Sequence, residues 1–323
     1  MRVFQKALIA LCIASIFSQF GCRNPVDWGG GFPTKAGPIL FISDKSGTSQ
    51  LYSMDDDGSN VRQLTNDPKF PIYQAAWSPD AKRIAVASSV GGVPLFGYAI
   101  YIMNSDGTDR YLLTEPRFGG SYAGATGARW SPDSKEIAFN RTSHPEPIPG
   151  SDIFIIDVDG NNERRFTMSP TVLKYATDWS RDGECIAVHE EDWNHRDSTT
   201  DPPLPPIRKV LYDLQGVEIQ SWHGGGDLIY STAGGKIAYD TIGAVIVINA
   251  DGSNVHSVKY NSDLFMDIRA WSLDDTKLLC EATTNGYDPN KVFLMNLQTG
   301  ELTDVTPYRD YSGWQSAQSW RRR

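Results

Sequence analysis

Residues 130–160 decide the fold. Trp130-Ser-Pro-Asp133 leads into an apolar run from Ile137, and Ile153-Phe-Ile-Ile-Asp-Val-Asp-Gly160 follows. The same arrangement recurs along the chain. Trp77, Trp130, Trp179, Trp271 and Trp320, with Tyr230 in the same slot, lie 53, 49, 51, 41 and 49 residues apart. Ser follows the aromatic at Ser78, Ser131, Ser180, Ser231 and Ser272. Asp stands three places after it at Asp80, Asp133, Asp182 and Asp274. An apolar strand begins seven places after it, at Ile84, Ile137, Ile186, Ile237 and Leu278. A period of this size marks a solenoid or a propeller.

A second pattern runs in register with the first. Leu51–Gly58, Ile100–Gly107, Ile153–Gly160 and Val245–Gly252 each read as a strand entering an Asp-Gly turn, where Gly supplies the positive φ of a tight hairpin. A further strand is expected to end at Leu64-Thr65, Leu113-Thr114, Phe166-Thr167 and Val305-Thr306. Each unit therefore has four short antiparallel strands, which is a propeller blade. The first unit, Pro38 to Thr65, lacks a Trp strand before it. Ser316–Trp320 is a Trp strand with nothing after it. The two fragments complement each other. The expected architecture is an all-β, six-bladed β-propeller over residues 38–323, its first blade closed by the C-terminal strand so that no sheet edge stays open.

These residues carry a resemblance. Trp77-Ser-Pro-Asp80 and Trp130-Ser-Pro-Asp133, followed by the Ile strand, the Asp-Gly turn and Leu-Thr, resemble the TolB-type propeller repeat, a relative of WD-type (WD40-like) repeats. Trp179-Ser-Arg-Asp182 and Trp271-Ser-Leu-Asp274 depart at Pro, and the Tyr230 unit lacks both Trp and Asp. The resemblance covers about residues 38–323. It does not extend to the globular N-terminal domain of TolB, so docking to the peptidoglycan-associated lipoprotein does not transfer with it.

Composition narrows the rest. The chain has 323 residues, 40% of them apolar, with a formal charge of −9. That excludes a disordered chain and leaves no chain-wide basic footprint for nucleic acid. Five of the nine tryptophans mark the repeat, and the 29 Gly and 19 Pro are largely turn chemistry. Beyond residue 22 no apolar run approaches the roughly 18 residues of a membrane span.

The N-terminus reads as an export signal. Arg2 and Lys6 precede an apolar stretch, Ala7–Phe20, that ends at Gly21-Cys22. This resembles a bacterial lipoprotein signal, which implies lipidation of Cys22, although Gln19 and Phe20 stand where such signals carry Leu and a small residue. Residues 1–21 are thus read as signal peptide and 22–37 as a tether, giving a mature charge of −11. Cys185 and Cys280 are expected as buried free thiols.

Function is expected on the irregular loops, since short repetitive turns occupy the other face. Arg117, Phe118 and Tyr122 lie in one such loop, Arg141 and His144 in a second, and Arg309, Tyr311 and Trp314 in the last. Aromatic and Arg residues are the usual interface anchors. The insertion 189–208 adds Trp193 and His195 before a proline arm at 202–206; its His and carboxylates fit no defined metal-ligand spacing. Asp55-x-Asp57-Gly58 resembles the start of an EF-hand, but Asn66 stands where the twelfth-position Glu belongs. No metal or cofactor is implied. Neither a nucleophile elbow nor a phosphate loop occurs.

The leading expectation is a monomeric, non-catalytic, exported propeller, periplasmic or on the cell surface. It would be held to the membrane by its lipid anchor only and bind a protein or another envelope component. One alternative is a carbohydrate or small-molecule receptor using the central funnel. Another is a propeller lyase or hydrolase using His144, His189 or His195 with nearby carboxylates.

Overall fold

The computed structural model describes residues 36–89, 97–115, 124–142, 150–168, 172–192, 206–223, 226–241, 243–260, 264–283, 291–308 and 313–321. Among them every regular element is a β-strand. The signal, Cys22 and most of the tether lie outside the described residues. In chain order, β1 (Ile39–Ser43), β2 (Gln50–Met54) and β3 (Arg62–Gln63) are followed by β4 (Ile72–Trp77), β5 (Arg83–Ser89), β6 (Tyr98–Asn104) and β7 (Tyr111–Leu112). Next come β8 (Ala125–Trp130), β9 (Glu136–Thr142), β10 (Ser151–Asp157) and β11 (Arg164–Arg165), then β12 (Val172–Trp179), β13 (Cys185–Asp192), β14 (Ile207–Asp213) and β15 (Glu218–His223). The rest are β16 (Leu228–Tyr230), β17 (Lys236–Thr241), β18 (Ala244–Asn249), β19 (His256–Lys259), β20 (Phe265–Trp271), β21 (Lys277–Thr283), β22 (Lys291–Asn296), β23 (Leu302–Asp304) and β24 (Gln315–Trp320).

Pairing is antiparallel in sequence order within β4–β7, β16–β19 and β20–β23, each a four-stranded sheet. β8–β11 and β12–β15 form two more four-stranded groups, joined into one sheet by a single parallel pair, Ser151 with Leu173. The remaining sheet runs β24-β1-β2-β3, with Ile39 opposite Trp320 and Ser43 opposite Gln315. The central strands are buried on both faces, as in Ile39–Ser43 and Ile84–Ser89.

The repeated motifs act as fasteners. The indole N–H of four slot tryptophans donates to a backbone carbonyl of the preceding group of strands: Trp77 to Pro38 (3.0 Å), Trp130 to Ala76 (3.1 Å), Trp179 to Arg129 (3.2 Å) and Trp271 to Ile229 (3.2 Å). Tyr230 has no indole. There the preceding sheet reaches forward instead: Asp178 Oδ2 accepts the Tyr230 N–H (3.0 Å), and Arg181 donates to the Tyr230 and Ser231 carbonyls. The Ser of each turn donates to its Asp, as Ser78 to Asp80 (2.6 Å) and Ser272 to Asp274 (2.7 Å). The same Ser Oγ accepts the first N–H of the next strand. These bonds to the Ser hydroxyl and the turn N–H hold Asp182 and Asp274 below the usual carboxylate range.

The outer strands are shorter than expected. β3, β7 and β11 have two residues each and end before the Leu-Thr pair. The Thr hydroxyl replaces a ladder bond, accepting Leu51 N–H at Thr65 (2.9 Å), Ile100 N–H at Thr114 (3.0 Å), Ile153 N–H at Thr167 (3.0 Å) and Val292 N–H at Thr306 (3.1 Å). Two further hairpin turns escaped the Asp-Gly pattern. Gly216 bonds back to Asp213 and Gly300 to Asn296, both at positive φ. At Gly107 (φ +89°) a Cβ would also meet the Leu64 carbonyl oxygen at 2.1 Å, so this turn accepts only glycine. The Asp55 and Asp57 carboxylates are used within their turn, on Asn60 and on the Ser59 N–H. Both body cysteines are free, but Cys185 is half-buried where full burial was expected; Cys280 is fully buried.

Candidate functional site

Each sheet has two ends. The innermost strands β4, β8, β12 and β20 run into the Trp and the Ser-Asp turn at one end. Their entry ends, with the β13–β14, β17–β18 and β21–β22 connections, lie at the other, the loop end. The innermost strands also carry bulges. Register shifts leave Thr177 of β12 and Arg269 of β20 outside the ladder, and between Leu40 and Phe41 the β24 pairing skips Gln318. A bulge re-aims a side chain. All three line a central cavity of about 110 Å³, together with residues from β4, β8 and β16.

Toward the loop end a second cavity, of about 230 Å³, is bounded by His189, Gly226, Asp227, Asp267, Ile268 and Arg269. Its walls come from β13, the segment before β16, and β20. Arg269 Nε donates to Glu281 (2.8 Å) and Nη2 lies 3.4 Å from Asp267. Burial disfavours its charge, but Glu281, Asp267 and Asp227 outweigh that and raise its pKa. Arg129 Nε donates to the Thr177 carbonyl (2.6 Å), and its Nη2 lies 3.9 Å from Asp227.

His189 faces two acceptors, the Gly226 carbonyl from Nδ1 (3.3 Å) and Glu191 from Nε2 (3.2 Å). Only the imidazolium donates to both at once. Burial opposes that charge; the Glu191 hydrogen bond, Asp227 and the Gly226 carbonyl overcome it, and the pKa is raised. Lys209 is wholly buried, and burial pushes it down to about 8 against the pull of Asp240 and Asp227. Asp240 is pushed up to about 7 by burial and by the charges of Asp267 and Asp227. Its Oδ1 has no hydrogen-bond partner among the described residues. Its carboxyl packs against Gly226, where a Cβ would come within 2.1 Å of Oδ1.

This cluster sets a pH dependence. A carboxyl whose folded pKa exceeds its unfolded value makes the fold less stable as pH rises between the two. Asp240→Asn is therefore expected to gain stability relative to the parent as pH goes from 4 to 8. The relative gain approaches about 4 kcal/mol. Urea unfolding at the two pH values reads it; a pH-independent difference would contradict the burial of this charge.

Of the residues singled out from sequence, Arg117, Phe118, Tyr122, His144, Trp193, His195, Arg309 and Tyr311 lie outside the described residues. Arg141 is described, and it belongs to β9 rather than to a loop. It is 1% exposed, pairs through both Nη atoms with Glu163, and stacks on Phe139 and Phe154 (4.9 and 4.8 Å). That is a structural role, not a surface one. His189 lies within β13, which continues to Asp192. Trp314 precedes β24 and is 38% exposed. Phe265 at the entry of β20 (66% exposed) and Met168 before β12 (84%) share the loop end with it. Sequence reading missed both, and it missed Asp227, Asp240, Asp267 and Arg269. For Asp267 and Arg269 the visible signal was a charged residue interrupting the alternation of an inner strand.

No family model matches the chain. A TolB homolog of Chlorobium chlorochromatii is 46% identical over 56 residues, 17% of this chain and 12% of that protein. The Tol-Pal system protein TolB of Anaeromyxobacter dehalogenans is 30% identical over 135 residues, 42% of this chain and 27% of that protein. The matched segments thus span about an eighth to a quarter of these relatives. The crystal structure of TolB from Acinetobacter baumannii superposes with a TM-score of 0.62 over 87% of this chain and 66% of that one, at 20% identity. With its antiparallel four-stranded sheets and its linked Trp, Asp-Gly and Leu-Thr motifs, the chain is a TolB-like β-propeller.

Proposed function

We propose that the chain is a non-catalytic, protein-binding scaffold of the bacterial envelope, exported and anchored through a lipid on Cys22. In this reading the four four-stranded sheets and the two halves of the eight-stranded one are six blades of one monomeric ring, closed where β24 joins β1. Packing of the innermost strands supports it: β24 lies against both β4 and β20, and β4, β8, β12, β16 and β20 neighbour one another in turn. The name of the Anaeromyxobacter relative, a Tol-Pal system protein, supports a partner within the envelope.

One observation carries the binding role: Met168, Phe265 and Trp314 are exposed at the loop end. Large apolar side chains that water surrounds at one end of a rigid scaffold are suited to a partner. The central cavity, about 110 Å³, is too narrow for a polypeptide domain, so a protein would be met at the face.

Capture from envelope extract tests the reading. The double variant Phe265→Glu, Trp314→Ala is expected to lose the captured partner, while Leu273→Glu, on the Ser-Asp turn at the other end, keeps it. Retention of every partner by the loop-end variant would contradict the assignment. Labelling with a fatty-acid analogue, with Cys22→Ser as control, reads the anchor.

A further inference from the structure

We propose that the loop-end cavity lined by Asp227, Asp267 and Arg269 is a binding site for one uncharged sugar ring, with Phe265 at its rim. The site is an addition to the scaffold reading and does not depend on it.

Three observations lead there. The first is size. The cavity, about 230 Å³, holds the volume of about seven or eight waters, which is that of a single sugar ring. The second is the balance of its walls. Two cations, His189 and Arg269, line it with two anions, Asp227 and Asp267. An ion of either sign therefore meets a like charge. A hydroxyl does not, because it donates to a carboxylate and accepts from a guanidinium. The walls keep capacity for both. Arg269 uses Nε on Glu281 and Nη2 on Asp267, which leaves Nη1 without a bond among the described residues. Asp227 meets Arg129 only at 3.9 Å, and the Asp267 side chain is 65% exposed. His189 spends both ring nitrogens on Gly226 and Glu191 and serves as a wall. The third observation is the aromatic. Phe265 stands two residues before Asp267 on β20, on the same exposed face and about 7 Å along the strand. A ring there suits the apolar C–H face of a sugar, while adjacent hydroxyls reach the charged groups.

A sugar ring can come from a free monosaccharide or from a polysaccharide of the envelope. Calorimetric titration of the full chain tests the site with glucose, galactose and mannose, then with the uronate and the 2-amino derivative of the sugar that binds. The expected result is binding of a neutral sugar, with both charged derivatives weaker. Asp227→Ala and Asp267→Ala are each expected to weaken it about 10- to 100-fold, the range for losing a hydrogen bond to a charged group. Phe265→Ala should weaken it about 3- to 10-fold, and Leu273→Glu at the other end should leave it unchanged. Thermal unfolding confirms that each variant is folded. Tighter binding of the matching tetrasaccharide identifies a polysaccharide, and equal or weaker binding a free sugar. No neutral sugar bound, a charged derivative bound as well as its parent, or unchanged affinity in both Asp variants would overturn the inference. Partner capture that persists while no sugar binds would overturn it and leave the scaffold reading standing. Sugar binding without a captured partner would do the reverse.

Discussion

A chain ending at Gly313 is expected to lose most of its stability. The missing β24 pairs with the whole of β1, from Ile39 opposite Trp320 to Ser43 opposite Gln315. It also ties the first sheet to its neighbour. Gln318 Oε1 accepts the Ala75 N–H (3.2 Å) and Ser319 Oγ the Trp77 N–H (3.3 Å). Trp320 is 4% exposed and packs with Ile39, Phe41, Leu279 and Val292. Truncation thus removes a buried aromatic, worth about 3–5 kcal/mol by itself, and five ladder pairs. It also leaves the inner edge of β1 without a partner. A typical domain holds only about 5–15 kcal/mol, so the loss is expected to be near-complete. Circular dichroism on heating reads it. A melting temperature equal to that of the full chain would contradict the role given to β24.

Trp179→Ala carries the second large effect. Trp179 is 1% exposed, packs with Ala176, Ile186 and Val188, and donates its indole N–H to the Arg129 carbonyl of the preceding group of strands. The substitution opens a cavity and orphans that carbonyl. The expected cost is about 4–6 kcal/mol, from about 3–5 for the cavity and about 1 for the hydrogen bond. Trp179→Phe keeps most of the packing and loses the bond, so its cost should be smaller, about 1–2 kcal/mol. Urea unfolding of the two variants separates the parts. Equal losses would mean that the indole bond, not ring packing, dominates.

The Tyr230 unit shows why the slot tolerates exchange. Its aromatic is buried like the others, but the fastening has moved to Asp178 on β12 and Arg181 in the turn after it. A sequence pattern that counts tryptophans finds this unit only by its spacing. The chemistry that replaces the indole sits about 50 residues away, and no local pattern reveals it.

The strands were legible because each motif does one local job. A ring packs, a Ser-Asp pair closes a turn, and a glycine takes a positive φ. The Thr residues after the outer strands were visible too, but not their use as substitutes for ladder bonds. Gly216 and Gly300 were missed because Asp213-Leu-Gln and Asn296-Leu-Gln-Thr make the same turn with different spacing. The charged cavity was not legible at all. Asp227 from the segment before β16 and Asp267 and Arg269 from β20 are brought together only by the stacking of the sheets. Arg141 misled for the related reason that its partner, Glu163, lies 22 residues away across a hairpin. An arginine near a loop looks like an anchor until its carboxylate is located.

Amide hydrogen exchange of the full chain tests the central claim most directly, because it reads each strand by itself. If the C-terminal strand completes the first blade of a closed ring, the amides of Ser316–Trp320 and Ile39–Ser43 exchange together. They should be as slow as those of the interior strand Ile84–Ser88. Fast exchange over Ser316–Trp320, with the remaining sheets still protected, would contradict the closed ring.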